Sequence, residues 1–270
     1  MQLKKKILLT LVAVIACARP AFSEATEQRT YPAATSFSGV KTLGSDLYGA
    51  LPPKYQSQIH VEPVALETEV MPSVKPVEYP NDPQPLRLIF ISVGFIDLMN
   101  YVAHAKAIDK LVQKGYFDKY IAGLAQEAGD MSLREPPGLD NPKFWTDAVM
   151  NEQQSNFNQM AGIVEAIELS HHYLGHFRKY AEKLSVATKG KPVTINNLLT
   201  PAEWDEAVKA GARNALDCGY GVEGVKLLYD TLDKMPKRPV WTAYFLPDNS
   251  KVSKIKKDLE TLEKNFFRNK

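Results

Sequence analysis

The sequence predicts a predominantly helical α+β fold, on the basis of one clear strand, a series of helical patterns and a proline-rich stretch. The strand covers residues 86–93 (LRLIFISV), which are apolar, rich in β-branched residues and followed by Gly94. Downstream of it, apolar residues recur at helical spacing almost to the C-terminus. Upstream, a proline every few positions over residues 51–85 excludes helix and favours short extended segments.

The first 23 residues have the features of a signal peptide. Three lysines precede an apolar run over residues 7–16, which is too short for the roughly 20 residues that span a bilayer. Ala21 and Ser23 then form an A-x-S cleavage site. We therefore expect cleavage after Ser23 and export to the periplasm or the extracellular medium.

A second interpretation of this segment stays open. Residues 14–17 (VIAC) loosely resemble a lipobox, in which Cys17 carries a lipid and becomes the mature N-terminus. The protein would then be anchored to a membrane through Cys17. Without that lipid, no membrane contact is expected.

Charge and cysteine content narrow the possible partners. The net charge of the 270 residues is +2, but residues 1–23 contain four cationic side chains and no acid, so the rest of the chain carries −2. This balance gives no indication of nucleic acid as a partner. Cys17 and Cys218 are the only cysteines, so a chain cleaved after Ser23 has no intramolecular disulfide and depends on its hydrophobic core.

The chain is predicted to comprise three segments. Residues 1–23 are the signal peptide, 24–85 a proline-rich leader with short strands, and 86–270 a helix-rich domain. Within the leader, residues 24–50 have weak periodicity and are interpreted as partly ordered, and a strand is expected within residues 60–70.

Helix boundaries follow from capping residues. Asn141-Pro142 and Thr200-Pro201 each place a capping residue before a proline at the first helical position, and Glu203 completes a capping box. A break within the third helix is left open, and the last helix is amphipathic. The predicted helices cover residues 95–113, 116–128, 142–184, 201–218, 222–234 and 252–266.

The candidate catalytic and metal-binding side chains are concentrated in a histidine cluster. Three of the five histidines fall within residues 171–176, after a mostly apolar helical segment, so the cluster is expected on a largely buried helix. The cluster is immediately preceded by residues 167–170 (IELS). In an H-E-x-x-H motif, two histidines one turn apart hold Zn²⁺ and the glutamate activates the metal-bound water.

Residues 167–171 (IELSH) resemble the active-site helix of the gluzincin metallopeptidases, most closely the M48 family. The resemblance implies that Glu168 corresponds to the general base and His171 to the second zinc ligand. Ile167 stands where the first ligand is expected, and an isoleucine cannot bind a metal.

The resemblance covers roughly residues 86–235. Residues 86–100 are similar to the strand and turn that precede the active-site helix, and residues 206–220 to the E-x-x-A-D helix with its terminal Gly-Tyr. In a gap-free alignment, Trp204 replaces the glutamate that is the third zinc ligand, and Val208 replaces the aspartate of that motif. The implied fold is a zincin-like minimal scaffold.

The sequence therefore favours a non-catalytic member of this group. We expect an envelope binding or assembly module without a cofactor, with a protein or peptide as its ligand. Ile167 and Trp204 are expected to pack together where the zinc site was lost. The three histidines are then a hydrogen-bonded structural cluster.

The alternative is a zinc-dependent hydrolase with a rearranged ligand set around His171, His172 and His176, with Glu168 as base. His172 and His176 are one helical turn apart and form the expected metal-holding pair. The third ligand would be an acid of the next helix, namely Glu203, Asp205 or Glu206. The isolated His60 and His104 are interpreted as structural or exposed, and the aromatic stretch 241–247 as packing or a ligand groove.

Overall fold

The fold is described from a computed structural model, for residues 29–79, 85–126, 133–185, 193–235, 238–246 and 251–268. The predicted signal peptide lies outside the described residues, as do both interpretations of its processing. Among the described helices, none combines the length and the apolar character needed to cross a membrane.

The described part of the chain is predominantly helical with one small sheet, which confirms the predicted fold class. Four short 3-10 helices connect the longer elements, at Ala33–Thr35, Pro142–Trp145, Asn196–Leu198 and Val240–Tyr244. The strands are β1 (Val64–Glu67), β2 (Val74–Tyr79), β3 (Leu86–Ser92) and β4 (Val193–Thr194). The α-helices are α1 (Phe37–Ala50), α2 (Pro53–Gln56), α3 (Val93–Leu111), α4 (Tyr116–Gln126), α5 (Asp147–Tyr173), α6 (His176–Lys179), α7 (Ala181–Ser185), α8 (Pro201–Asp217), α9 (Glu223–Lys234) and α10 (Val252–Arg268).

The sheet has the strand order β1-β3-β2-β4. β1 runs parallel to β3, whereas β2 is antiparallel to both β3 and β4. Proline has no N–H to donate to a neighbouring strand. Pro76 is tolerated in β2 because β4 pairs with Val77 and Glu78 alone. The predicted strand over residues 86–93 is confirmed as β3, one of the two inner strands, except that Val93 already belongs to α3.

Helix α5 is the centre of the fold and contacts α1, α3, α8, α9 and the sheet. Two glycines allow neighbouring helices to approach its backbone closely. A Cβ atom added to Gly211 of α8 would lie 2.5 Å from the backbone nitrogen of Ile167, and one added to Gly224 of α9 would lie 2.6 Å from the carbonyl carbon of Gln159. Only glycine fits at such crossings, so α8 and α9 are held directly against α5.

The expectation of a partly ordered leader is wrong for residues 37–50, which form α1, and the exclusion of helix from residues 51–85 is wrong at α2, where proline takes the first helical position. Val40, Leu43 and Leu47 recur at helical spacing and are buried in the main core. The glycines and hydroxyl residues of this segment obscure that apolar stripe in the sequence. The predicted segment boundary at residue 85 falls between β2 and β3, which pair along their length.

Most predicted helices are confirmed, with the first pair separated at Gly115 in a left-handed conformation. The Thr200 and Glu203 capping box of α8 is present, and α10 buries Val252, Ile255, Leu259 and Phe266 along one face. The third helix differs from the expectation. Asn141 caps a 3-10 helix, α5 starts at Asp147, and the helix ends at Tyr173.

Candidate functional site

The candidate site lies at the C-terminal end of α5, where Gly175 redirects the chain. Gly175 adopts a left-handed conformation with φ of 81°, and α6 starts at His176. Glycine adopts this conformation without the Cβ penalty of other residues. As a result, His172 and His176 do not belong to one continuous helix.

The redirected chain brings His176 to His171. Their Nδ1 atoms are 2.7 Å apart, so one nitrogen donates a proton and the other accepts it. Both imidazoles are buried. Burial and the proximity of His176 and His172 hold the pKa of His171 well below its usual range. Burial also lowers the pKa of His176, against the opposing effect of nearby carboxylates. The pair is therefore neutral at physiological pH.

His172 faces the sheet instead. Its Nε2–H donates to the carbonyl oxygen of Leu88 in β3 at 2.9 Å, and its ring stacks on Phe177 with centroids 4.9 Å apart. Burial lowers the pKa of His172 to about 4, although the bond to Leu88 opposes that change. The two residues of the predicted metal-holding pair, His172 and His176, thus have different hydrogen-bond partners and lie on different helices.

Glu168, which the resemblance assigns to the general base, is buried in the same region. Burial raises the pKa of its carboxyl well above the usual value, and the Asn196 amide partly offsets this effect. Its Oε2 atom has no hydrogen-bond partner. Burial of a carboxylate with one unpartnered oxygen is costly, so the environment of Glu168 favours its neutral form.

The three predicted acidic ligands have different environments. Burial disfavours the charge on Glu203, but hydrogen bonds from Lys179, Thr200 and Tyr180 outweigh it and lower its pKa to about 2. Asp205 forms an ion pair with Lys254 at 2.8 Å. Glu206 lies against the cluster, with its carboxylate 3.7 Å from Nε2 of His176.

Ile167 and Trp204, which stand at the zinc-ligand positions of the resemblance, are both buried in the main hydrophobic core. The backbone of Ile167 faces Gly211, and Ser170 donates a hydrogen bond to the Ala207 carbonyl at 3.3 Å. These contacts show that α5 and α8 cross in antiparallel register. The α8 residue opposite Ile167 is thus Gly211, two turns beyond Trp204, which instead contacts the Tyr229 ring.

Sequence reasoning missed one polar residue of α5. Glu165 is completely buried, and neither oxygen of its carboxyl has a hydrogen-bond partner. Its Oε2 lies close to Gly44 of α1, and burial raises its pKa well above the usual value. The only sequence signal was a glutamate within the mostly apolar segment before the cluster.

The described residues do not fit the zinc site of the H-E-x-x-H enzymes. Ile167 supplies no ligand atom, and the His171 and His176 nitrogens that face each other are engaged in a hydrogen bond. In the part of the chain that the structure covers, no three His, Cys, Asp or Glu side chains converge as a metal site would require.

The remaining residues singled out in the sequence lie elsewhere. His104 is buried and hydrogen-bonded to Tyr31 and Phe144, while His60 is exposed, so both predictions are confirmed. In the aromatic stretch, Trp241 and Phe245 are buried and contact each other at 6.1 Å, which confirms packing.

Comparison with known proteins found no match to any family model, curated protein or solved structure. The resemblance to M48 metallopeptidases therefore rests on the motifs quoted above.

Proposed function

We propose that the protein is an exported, non-catalytic relative of the M48 metallopeptidases that acts as a binding or assembly module of the cell envelope. The observation that carries this proposal is the set of hydrogen-bond partners of the three histidines. The imidazoles of His171 and His176 bond to each other, and that of His172 bonds to the backbone of β3. These groups support the packing of α5, α6 and the sheet.

The surroundings of the cluster support a structural role. A general base has to exchange protons with substrate or water, which requires access. Glu168 is only 2% exposed, and burial favours its neutral form. The position of the first zinc ligand is filled by Ile167 against the α8 backbone. An apolar side chain packed against a helix thus replaces a polar metal ligand at this position.

Zinc content tests the proposal directly. The full chain is expressed with its signal sequence, purified without chelator and dialysed, and bound metal is measured by mass spectrometry. We expect far less than one equivalent of zinc and no hydrolysis of unstructured casein. Near-stoichiometric zinc that disappears in a His176→Gln variant would overturn the non-catalytic proposal.

Export and anchoring are tested at the mature N-terminus. Intact mass of the processed chain distinguishes cleavage after Ser23 from a lipid on Cys17. Retention of residues 1–23 in a protein recovered from the cytoplasm would contradict the envelope location.

One observation favours the zinc-hydrolase alternative. The Nε2 atoms of His171 and His176 are buried without hydrogen-bond partners, and Glu206 lies near the second of them. Because the Nδ1 atoms of the two rings face each other, a metal would be held by these two histidines and Glu206 only after the imidazoles rotate out of that hydrogen bond, whereas the bond of His172 to Leu88 leaves that residue out. In this case, zinc should be lost in His171→Gln and Glu206→Gln and retained in the matched His172→Gln control.

A further inference from the structure

A second polar and aromatic cluster lies around Tyr31, where residues of α3 and of the 3-10 helix Pro142–Trp145 meet. The Tyr31 ring contacts three aromatic residues, with centroid distances of 6.1 Å to Tyr101, 5.5 Å to His104 and 5.5 Å to Trp145. His104 and Trp145 also contact each other edge-on at 4.8 Å. We call the surface formed by Tyr101, His104 and Trp145 the aromatic slot.

The slot also holds a hydrogen-bond acceptor of fixed orientation. His104 is completely buried, and its Nε2–H donates to the Phe144 carbonyl at 2.7 Å. Burial lowers the pKa of His104, so the ring is neutral and Nδ1 carries a lone pair. The Tyr31 hydroxyl lies 3.2 Å from this nitrogen and is therefore the donor.

Nearby acids favour a neutral hydroxyl over a phenolate. Burial is the main cause that raises the pKa of Tyr31, and Tyr101, Glu135 and Asp97 act in the same direction. The slot therefore selects an aromatic ring that carries a proton-donating hydroxyl. Among protein side chains, tyrosine is the one with that chemistry.

The segment that inserts Tyr31 is held at few points. Residues 29, 30, 32, 33 and 34 are exposed, and the segment forms only the 3-10 helix Ala33–Thr35. Its second attachment is the carbonyl of Thr35, which accepts a hydrogen bond from Asn100 at 2.8 Å. Gln153 orients this amide by donating to its oxygen at 2.8 Å. Thr35 is completely buried and the 3-10 helix packs on α1 and α5, so this end of the segment is anchored, and the Tyr31 ring docks the exposed residues that precede it.

We propose that the aromatic slot is a binding site for a tyrosyl side chain, and that Tyr31 occupies it reversibly as an intramolecular ligand. Residues 29–34 exchange between a docked state and a released state in which the slot is open to another tyrosyl group, while Thr35 stays anchored. The proposal does not depend on the histidine cluster or on the proposed function.

A small-molecule rescue tests the slot. A Tyr31→Ala variant of the full chain is titrated with p-cresol, which reproduces the tyrosine side chain, and with toluene, which lacks the hydroxyl. Binding is followed by Trp145 fluorescence and by the rise in melting temperature. We expect p-cresol to bind about threefold to tenfold more tightly than toluene, the range that one net hydrogen bond provides. The unmodified chain, with its slot filled, should bind p-cresol much more weakly.

Tyr55→Ala is the matched control, because the Tyr55 ring stacks on Tyr173 and not on an imidazole. There, p-cresol and toluene should not differ. Equal affinity of both compounds for Tyr31→Ala, or equal p-cresol binding by the unmodified chain, would overturn the proposal.

A second variant covers the case that Tyr31→Ala does not fold. Tyr31→Phe keeps the ring and removes only the hydroxyl, so release of the segment should become about threefold to tenfold more frequent. Amide hydrogen exchange at Thr35 should accelerate by that factor, while exchange at Met160 in α5 stays unchanged. Unchanged exchange at Thr35 would show that the hydroxyl does not hold the segment, and would contradict the proposal.

Discussion

The Nδ1 atoms of His171 and His176 lie 2.7 Å apart and hydrogen-bond to each other. Two nitrogens bound to one tetrahedral zinc ion would be about 3.3 Å apart, given zinc–nitrogen bonds of about 2.0–2.1 Å. The observed geometry is that of a structural pair between α5 and α6. The contribution of this pair to the free energy of unfolding can be measured.

Replacement of His171 by alanine should destabilise the protein by about 2–4 kcal/mol, because it leaves a cavity and an unpaired nitrogen on His176. Urea unfolding of the variant and the unmodified chain gives the difference. His60→Ala is the control, since His60 is exposed and its loss should change stability by less than about 0.5 kcal/mol. Similar small effects for both variants would refute a structural role for the pair.

Stability should fall in mild acid because of His172. Its folded pKa of about 4 lies below the unfolded value of about 6.5. The contribution of neutral His172 is therefore complete above about pH 6.5 and is lost as the pH falls toward 4, by about 3 kcal/mol in total. His172→Gln keeps an N–H donor for Leu88 and does not titrate. Urea unfolding at pH 7 and pH 4 should show a smaller acid loss in this variant, and an identical loss in both proteins would contradict the assignment.

Glu165 has the opposite pH dependence. Its pKa is raised by burial, so its carboxyl favours the folded state below about pH 4.5 and costs stability as the pH rises toward its folded pKa. Glu165→Met removes this cost and should stabilise the protein by about 1–3 kcal/mol at pH 8 and by less at pH 5. The exposed Glu62→Met is the control. Destabilisation by Glu165→Met at pH 8 would reveal a partner for the carboxylate.

The close approach of α8 to α5 predicts opposite effects for two glycine substitutions. Gly211→Ala places a Cβ against the Ile167 backbone and should cost about 1–3 kcal/mol. Gly123→Ala, in α4, meets no atom within 4 Å and should gain about 0.5–1 kcal/mol from helix propensity. Melting temperatures of the two variants should therefore move in opposite directions. A stable Gly211→Ala protein would show that the helices can separate there.

The sequence allowed prediction of elements with strong local signals. The apolar run of β3, the capping box at Thr200 and the amphipathic pattern of α10 are each determined within a few residues. Helix α1 was not predicted because small and hydroxyl residues separate Val40, Leu43 and Leu47. Only contact with α5 and β1 shows that these three side chains form a buried face.

The candidate site was harder to predict because its partners depend on tertiary contacts. The acceptor for His172 is a backbone carbonyl 84 residues away, which leaves no trace in side-chain composition. The pairing of His171 with His176 follows from the left-handed conformation of one glycine. Helical spacing alone indicated His172 as the partner of His176, whereas the hydrogen bond joins His176 to His171.

Gly175 has a consequence for how this region changes over evolutionary time. In an uninterrupted helix, residues 172 and 176 would lie one turn apart, the arrangement found in histidine pairs that bind metals. The positive φ of residue 175 prevents that arrangement and creates the pair with His171. A lineage can thus keep all three histidines and yet exchange one pairing for another through a change at a single position. A chain of this kind can therefore inherit its imidazoles without inheriting a metal site.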